Sequence, residues 1–589
     1  MKRGWGDLPS ELLLLIMSYM EAKDLARLAD VNYHWRRVSE DDTLWKPLLI
    51  RDYELPKSTK IKNNRSWIDE YKTLKFESPV MLCEDLRDCA LGVVDVSFSP
   101  DGRFFCTTAM DASFKIWTAT TPTYLLHERC LSESLDWKQA LYSQFSPDSK
   151  RLLVCGLKNS ERGEVAVFSV NDEECEVHSV CRAPNNPSDF TCCCLATFLS
   201  ASFLKLGSTM LGVNVGKSNG TFLTNDNSKI NFSSVIGSST TQIFLCSAVS
   251  PWDHVNEAFL CPILRLLNRH GGLCRLTALG RYIPPRLRGV VLLAEEARAE
   301  NKTLTVKAGE LAQNVREGAT KEEVRNELRR RLEELSATSE CSCIACMDSH
   351  EKSATEREIP LCYCGCHRDD DRLLIHAYGE TDSTPPRAIA FKIVSGEMVA
   401  RAARHRCSID QEDRAERTRE SRQDADDIED QLSSILALFD LPDYVIDMQA
   451  YVMGLTLSLN HKFLFVNMVH GRYDPERTFS CVGEVRQINL ESLSFDGSYF
   501  GHFARFTDRF QCSLGGHYLA SPSLGGARVW SRDYNCLIAK LDHTHGASAV
   551  AVEPINGEMV VTADRTDGKI RIWRSKKFLK KLAARKVWG

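Results

Sequence analysis

Residues 93–117 read VVDVSFSPDGRFFCTTAMDASFKIW. Val94, Val96 and Phe98 alternate with other side chains, the period of a strand with one face buried. Ser99-Pro100-Asp101-Gly102 is a turn, and two further strand-like runs follow, the last ending at Trp117. The frame returns as YSQFSPDSKRLLVCG at 142–156, LTLSLNHKFLFVN at 455–467, FQCSLGGHYLAS at 510–521 and AVEPINGEMVVTAD at 551–564. ARVW at 527–530 and IRIW at 570–573 repeat the ending at Trp117. Strand–turn–strand units recurring every ~40–50 residues, each closed by tryptophan, predict propeller blades. Five or six blades are read directly. FTCCCLATFLSASFLKLG at 190–207 and STTQIFLCSAVS at 239–250 supply two more, with Cys192–Cys194 read as core. The expected count is seven, with an N-terminal strand closing the ring against the last blade.

Size and composition fit this reading. The chain has 589 residues, room for several domains or one large repetitive one. A formal charge of −5 gives no general attraction to nucleic acid or to anionic lipid. The 23 cysteines, an odd number without a secretory signal, predict reduced thiols in cytoplasm or nucleus. No apolar run approaches the ~20 residues that span a bilayer, so no integral membrane segment is expected.

The first fifty residues have helical periods instead. In DLPSELLLLIMSYM, residues 7–20, the charges and Pro9 break any export core. Leu12, Ile16, Tyr19 and Met20 recur at i, i+4, i+7 and i+8, one helical stripe, with Leu13 and Leu14 off it. Asp7 or Ser10, then Asp24 and Asp42, are candidate caps of successive helices. Val31, Trp35 and Val38 mark the third helix, and Leu44, Trp45, Leu48 and Leu49 the fourth. A unit this small buries too little surface to be comfortable alone, so a partner is expected to complete its core, with tryptophans as anchors. Trp67, Tyr71 and Leu74 then read as a linker helix.

Residues from about 290 to 440 interrupt the strand rhythm. Thr320 and Glu323 form a capping box ahead of the stripe Leu328, Leu332 and Leu335. RLLIHAYG and RAIAFKIV return to strand, and DQEDRAERTRESRQDADDIED reads as a solvated charge run. Between the helical stripe and RLLIHAYG lies CSCIACMDSHEKSATEREIPLCYCGCH. Cys343 and Cys346, with Cys362, Cys364, Cys366 and His367, have donors and spacing that suit structural zinc. Cys341 and His350 are spare donors, and unliganded loop thiols are the other reading. No companion acid, base or oxyanion donor makes the cluster catalytic.

LPSELLLLIMSYMEAKDLARLADVNYHWRRVSEDDTLWK, residues 8–46, resembles an F-box: Leu8-Pro9-x-Glu11-Leu12, Asp24-Leu25, Val31, Trp35-Arg36 and Leu44-Trp45-Lys46. Asn32 stands where the family has cysteine. The blades resemble degenerate WD repeats. Thr107 and Asp111 precede Trp117 at the family's spacing; Asp567 precedes Trp573 likewise, with Thr562 one residue out of register; Leu524 replaces the Asp before Trp530. These residues are read as holding blades together.

The chain therefore resembles the F-box/WD-repeat family of ubiquitin-ligase substrate receptors. The fold this implies is a small all-α F-box domain followed by an all-β propeller of WD-repeat type, with a long, partly helical and partly disordered insertion. The expected divisions are 1–50 F-box, 51–80 linker helix, 81–290 first blades, 291–440 insertion, 441–575 last blades and 576–589 basic tail. The resemblance implies that Leu8, Pro9, Leu12, Ile16, Leu25, Leu28, Val31, Trp35, Leu44 and Trp45 meet the Skp adaptor of a cullin-RING ligase. The propeller would hold protein substrates, by resemblance centriole-assembly, actin-regulating or growth-signalling proteins. Arg532, Arg574 and Lys576 are candidate contacts to the propeller adaptor of cullin-four ligases. Such a receptor needs no cofactor and is not an enzyme. A non-ligase scaffold, or a zinc-containing binding module, is the alternative. The tail KKFLKKLAARKVWG reads as a surface helix, or as an import or lipid-contact patch.

Overall fold

The computed structural model describes residues 8–182 and 442–587 with short breaks, and between them strand segments at 195–200, 210–215, 221–223, 229–231, 241–247, 257–259, 262–268, 277–279, 372–378 and 386–394. Each repeat frame becomes one antiparallel sheet. In the first, Val93–Phe98, Phe104–Ala109, Ser113–Thr118 and Leu125–Cys130 pair in chain order. The turn after Phe98 is fixed by Ser99, whose hydroxyl donates to Asp101 at 2.6 Å and accepts from Phe104 N at 3.0 Å. Ser458 and Asn460 build the same turn in a later blade. The serine of SPDG thus stitches the two innermost strands together.

Among the described residues six sheets have four strands, and a short two-stranded ribbon joins Thr221–Leu223 to Lys229–Asn231. The sheet at 137–182 departs from the expected set of like blades, because Glu257–Phe259 adds a fifth strand, parallel to Cys175–Arg182. The innermost strands meet in succession, from Val93–Phe98 to Trp137–Phe145, and finally Ala549–Val552 returns to Val93–Phe98. Closure comes from the other end of the chain: Met81–Arg87 pairs antiparallel with Lys569–Arg574, Met81 opposite Arg574 and Arg87 opposite Lys569. Arg372–Tyr378 and Ala388–Val394, assigned to the insertion, pair with Thr277–Leu279 and Tyr444–Asp447 as a regular blade.

The blade tryptophans are internal posts. Trp117 and Trp573 donate their indole N–H to Thr107 Oγ1 (3.1 Å) and Thr562 Oγ1 (2.8 Å). Thr562 is therefore in place; the extra residue lies in the following turn, where buried Asp564 caps Thr566 N. Trp530 donates instead to the Phe500 carbonyl at 2.9 Å.

Burial has a pH consequence. His376, His502 and His543 are held neutral, their pKa values lowered by burial from 6.5 to about 4. The unfolded chain binds these protons first, so the stability they contribute is full above pH ~6.5 and is lost as pH falls toward 4. Glu484, Asp101 and Asp567 are also held low, but their contribution fades only at more acid pH. His517, raised by its hydrogen bond to Asp533, acts in the opposite sense. Urea midpoints should therefore drop between pH 6.5 and 4.5; a flat profile there would show that these histidines reach solvent.

Candidate functional site: an apolar face on the N-terminal helices

Four helices, α1 (Ser10–Met17), α2 (Ala22–Leu28), α3 (Tyr33–Ser39) and α4 (Asp42–Asp52), precede a fifth, α5 (Trp67–Lys72), which runs into a π-turn at Thr73–Glu77. Their caps differ from expectation. Helix α1 starts after Pro9 and α2 after Glu21, neither with a side-chain cap. Asp41 rather than Asp42 caps α4, accepting from Thr43 N at 2.9 Å. Asp42 instead accepts from Trp67 N, tying α5 back to the helical unit. Asn32, the departure from the F-box pattern, caps α3 by accepting from Trp35 N at 2.8 Å.

One core joins these helices to the propeller. Leu13, Met17, Leu25, Val38, Leu44, Trp45, Leu48, Leu49, Tyr71 and Leu74 pack together with Cys536, while Tyr534 and Ile538 pack against them from the 513–541 blade. Trp45 stands at the centre. Its indole N–H donates to Ser39 O at 2.6 Å, and its ring meets Tyr71 edge-on at 5.2 Å. Tyr71 in turn donates to Asp52 at 2.7 Å; burial and that bond hold its phenol protonated well above the usual range. Burial likewise pushes the Cys536 thiol up to about 12, which keeps it an inert core group.

The buried stripe of α1 is the reverse of the one expected. Leu13 and Met17 face inward, whereas Leu12, Leu15, Ile16 and Tyr19 are 49%, 54%, 40% and 84% exposed. Val31 (57%) and Tyr33 (81%), on the α2–α3 connection and at the start of α3, add to this exposed apolar set. Of the residues expected to meet the adaptor, Pro9, Leu12, Ile16 and Val31 are exposed, and Leu8, Leu28 and Trp35 are half-buried. Leu25, Leu44 and Trp45 are buried within the chain itself, which corrects their assignment as contacts. Leu15, Tyr19 and Tyr33 were not among the expected contacts; the signal for Leu15 was the run LLLLI, too apolar all round for one buried stripe.

The three basic residues expected at a second adaptor fall apart. Arg574 is buried: its guanidinium donates to Ala119 O at 2.6 Å and lies over the Phe578 ring, so it belongs to the ring closure and is corrected as a contact. Arg532 is half-buried and donates to Gly516 O at 3.0 Å. Lys576 alone of the three is exposed. Cys343, Cys346, Cys362, Cys364, Cys366 and His367 lie outside the described residues, as do the residues expected to form charged helices in the insertion.

Known proteins place both parts. A family model described as F-box-like matches residues 5–51, and one described as WD domain, G-beta repeat, matches residues 86–118. The chain is 23% identical to F-box/WD repeat-containing protein 5 of Mus musculus over 98% of its own length and 95% of that protein. Against the Homo sapiens protein of the same name it is 22% identical, over 98% of this chain and 96% of the other. Among solved structures it is similar to Saccharomyces cerevisiae Sqt1, with TM-score 0.35, 8% identity, and coverage of 85% of this chain and 99% of that one. For the Myceliophteria thermophila Cps50 (Swd1) beta-propeller domain the values are 0.37, 11%, 84% and 98%.

Proposed function

We propose that this chain, an F-box-like helical unit joined to WD-type blades, is the substrate-recognition subunit of an SCF-type cullin-RING ubiquitin ligase. The observation that carries the reading is the solvent-facing apolar set Leu12, Leu15, Ile16, Tyr19, Val31 and Tyr33 on a unit whose own core is already complete. Burying each such side chain against a partner is worth about 1.5–3 kcal/mol, so the set would supply affinity without being needed for folding. The adaptor is taken to cover this face, and the loops of the propeller to hold a protein substrate. In this role the chain does no chemistry and needs no cofactor. It raises the effective concentration of a substrate lysine near charged ubiquitin.

The shared core of α4, α5 and the 513–541 blade would set the distance between docked ligase and bound substrate. A cytoplasmic or nuclear setting suits the cysteines, since Cys130, Cys175 and Cys536 are free thiols. Expression in cells with and without a neddylation inhibitor tests the reading. Capture should recover adaptor and cullin together, with client proteins accumulating under inhibition. Recovery of adaptor with no cullin and no stabilised client would identify a scaffold instead.

A further inference from the structure

The C-terminal helix, Lys576–Val587, is not used by this reading. Residues 576–589 carry six basic side chains and no acidic one, in a chain whose net charge is −5. Phe578 packs under Arg574, and half-buried Leu582 lines a junction cleft of about 420 Å³ beside Leu74 and Tyr518, so the helix turns apolar side chains inward. Its lysines are left outside. Lys576 and Lys580, one turn apart, both lie over the Phe76 ring, at 5.3 and 5.9 Å from its centroid. Lys577 pairs with Glu77 at 2.6 Å, and Lys75 and Lys581 are exposed close by in sequence.

Two ammonium groups over one ring repel each other, and an anion placed above them would relieve that repulsion. The surroundings are apolar as well as basic. Phe76 is 37% exposed, and Met81 and Leu82, where the closing strand begins, are 43% and 47% exposed. Met81 pairs with Arg574, two residues before the helix, so the closing strand begins beside the start of the helix.

We propose that this seam is a docking surface for an anionic lipid bilayer, with lysines at the headgroups and Phe76, Met81 and Leu82 at the acyl boundary. Charge complementarity favours an anionic partner, and the apolar side chains select among anionic partners. Nucleic-acid phosphates offer nothing for Met81 and Leu82 to bury against, and lysine is a point charge that suits diffuse headgroups better than bidentate recognition.

Sedimentation of the full-length protein with phosphatidylcholine vesicles, with and without phosphatidylserine, tests this directly. Binding should require phosphatidylserine and weaken steeply with salt. The triple variant Lys576→Glu, Lys580→Glu, Lys581→Glu should bind at least about a hundredfold more weakly, since each lysine near such a surface contributes roughly a fivefold factor and reversal adds repulsion. The corresponding Gln variant guards against misfolding and should lose less. Met81→Ser with Leu82→Ser should weaken binding at high salt most, where the apolar part dominates. No sedimentation with phosphatidylserine at low salt overturns the proposal. So does equal capture by polyglutamate with no effect of Met81→Ser and Leu82→Ser, which would make the partner an acidic protein.

Discussion

Replacing Trp45 by alanine should destabilise the N-terminal helices by about 3–5 kcal/mol, the cost of emptying a fully packed aromatic site. The ring is 3% exposed and touches Tyr71, and its N–H satisfies the Ser39 carbonyl near the end of α3. Removing it leaves a cavity and a buried acceptor without its donor, so the two losses add. Phenylalanine at this position should recover most of the packing and none of the hydrogen bond. The damage should be local. Amide exchange ought to accelerate in α1–α5 while the blade at 93–130 keeps its protection. Adaptor affinity should fall too, though saturating adaptor should restore exchange protection, because ligand that binds only the folded unit pulls it back. A loss below about 1 kcal/mol would show that Trp45 is not the post described.

Gly92→Ala should be nearly as costly, for a different reason. Gly92 has φ +88°, and a β-carbon there would come within 1.7 Å of the Arg565 carbonyl oxygen. That oxygen is backbone, so nothing flexible can step aside. The site is the seam between first and last blades: Met110 N donates to Gly92 O at 3.2 Å, and Val93 N donates to Asp564 O at 3.3 Å. Left-handed strain alone costs about 1–3 kcal/mol. With the overlap, a total above about 3 kcal/mol is expected, read as a lower thermal midpoint and faster proteolysis. Gly525→Ala is the control, since nothing lies within 4 Å of its would-be β-carbon. Equal behaviour of the two variants would mean that the ring does not close as described.

The strand frames were legible because period-two alternation and SPDG turns are local signals, and the strands that form them meet in chain order. The closing strand was legible too, since a ring needs one. The fifth strand, Glu257–Phe259, was not: three residues carry no period, and parallel pairing leaves no turn to read. Thr562 looked misplaced because the distance to Trp573 was counted along the chain, whereas the hydrogen bond is closed in space and an extra turn residue does not disturb it.

The helical unit was read with its inside and outside exchanged at α1. Leucine or isoleucine occupies every position from 12 to 16, so several stripes satisfy the helical period equally well. Only the position of α3 and α4 chooses Leu13 and Met17. Tryptophan misled in the same way. Trp45 has the size of an interface anchor and also that of a core post, and its partner Tyr71 lies in the linker, beyond the motif. Arg574 was judged by its place after a blade tryptophan, but the hairpin at Ala119 and Thr120 comes from the first blade and was invisible to that reasoning.

Calorimetric titration of purified full-length protein with the Skp adaptor puts the exposed helical face to the test most directly. The wild type should bind, and Leu15→Asp with Tyr19→Asp should raise Kd about a hundredfold or more while leaving the unfolding midpoint within experimental error. If the double variant binds as tightly as the wild type, or if the wild type does not bind at all, the apolar face of α1 has some other purpose.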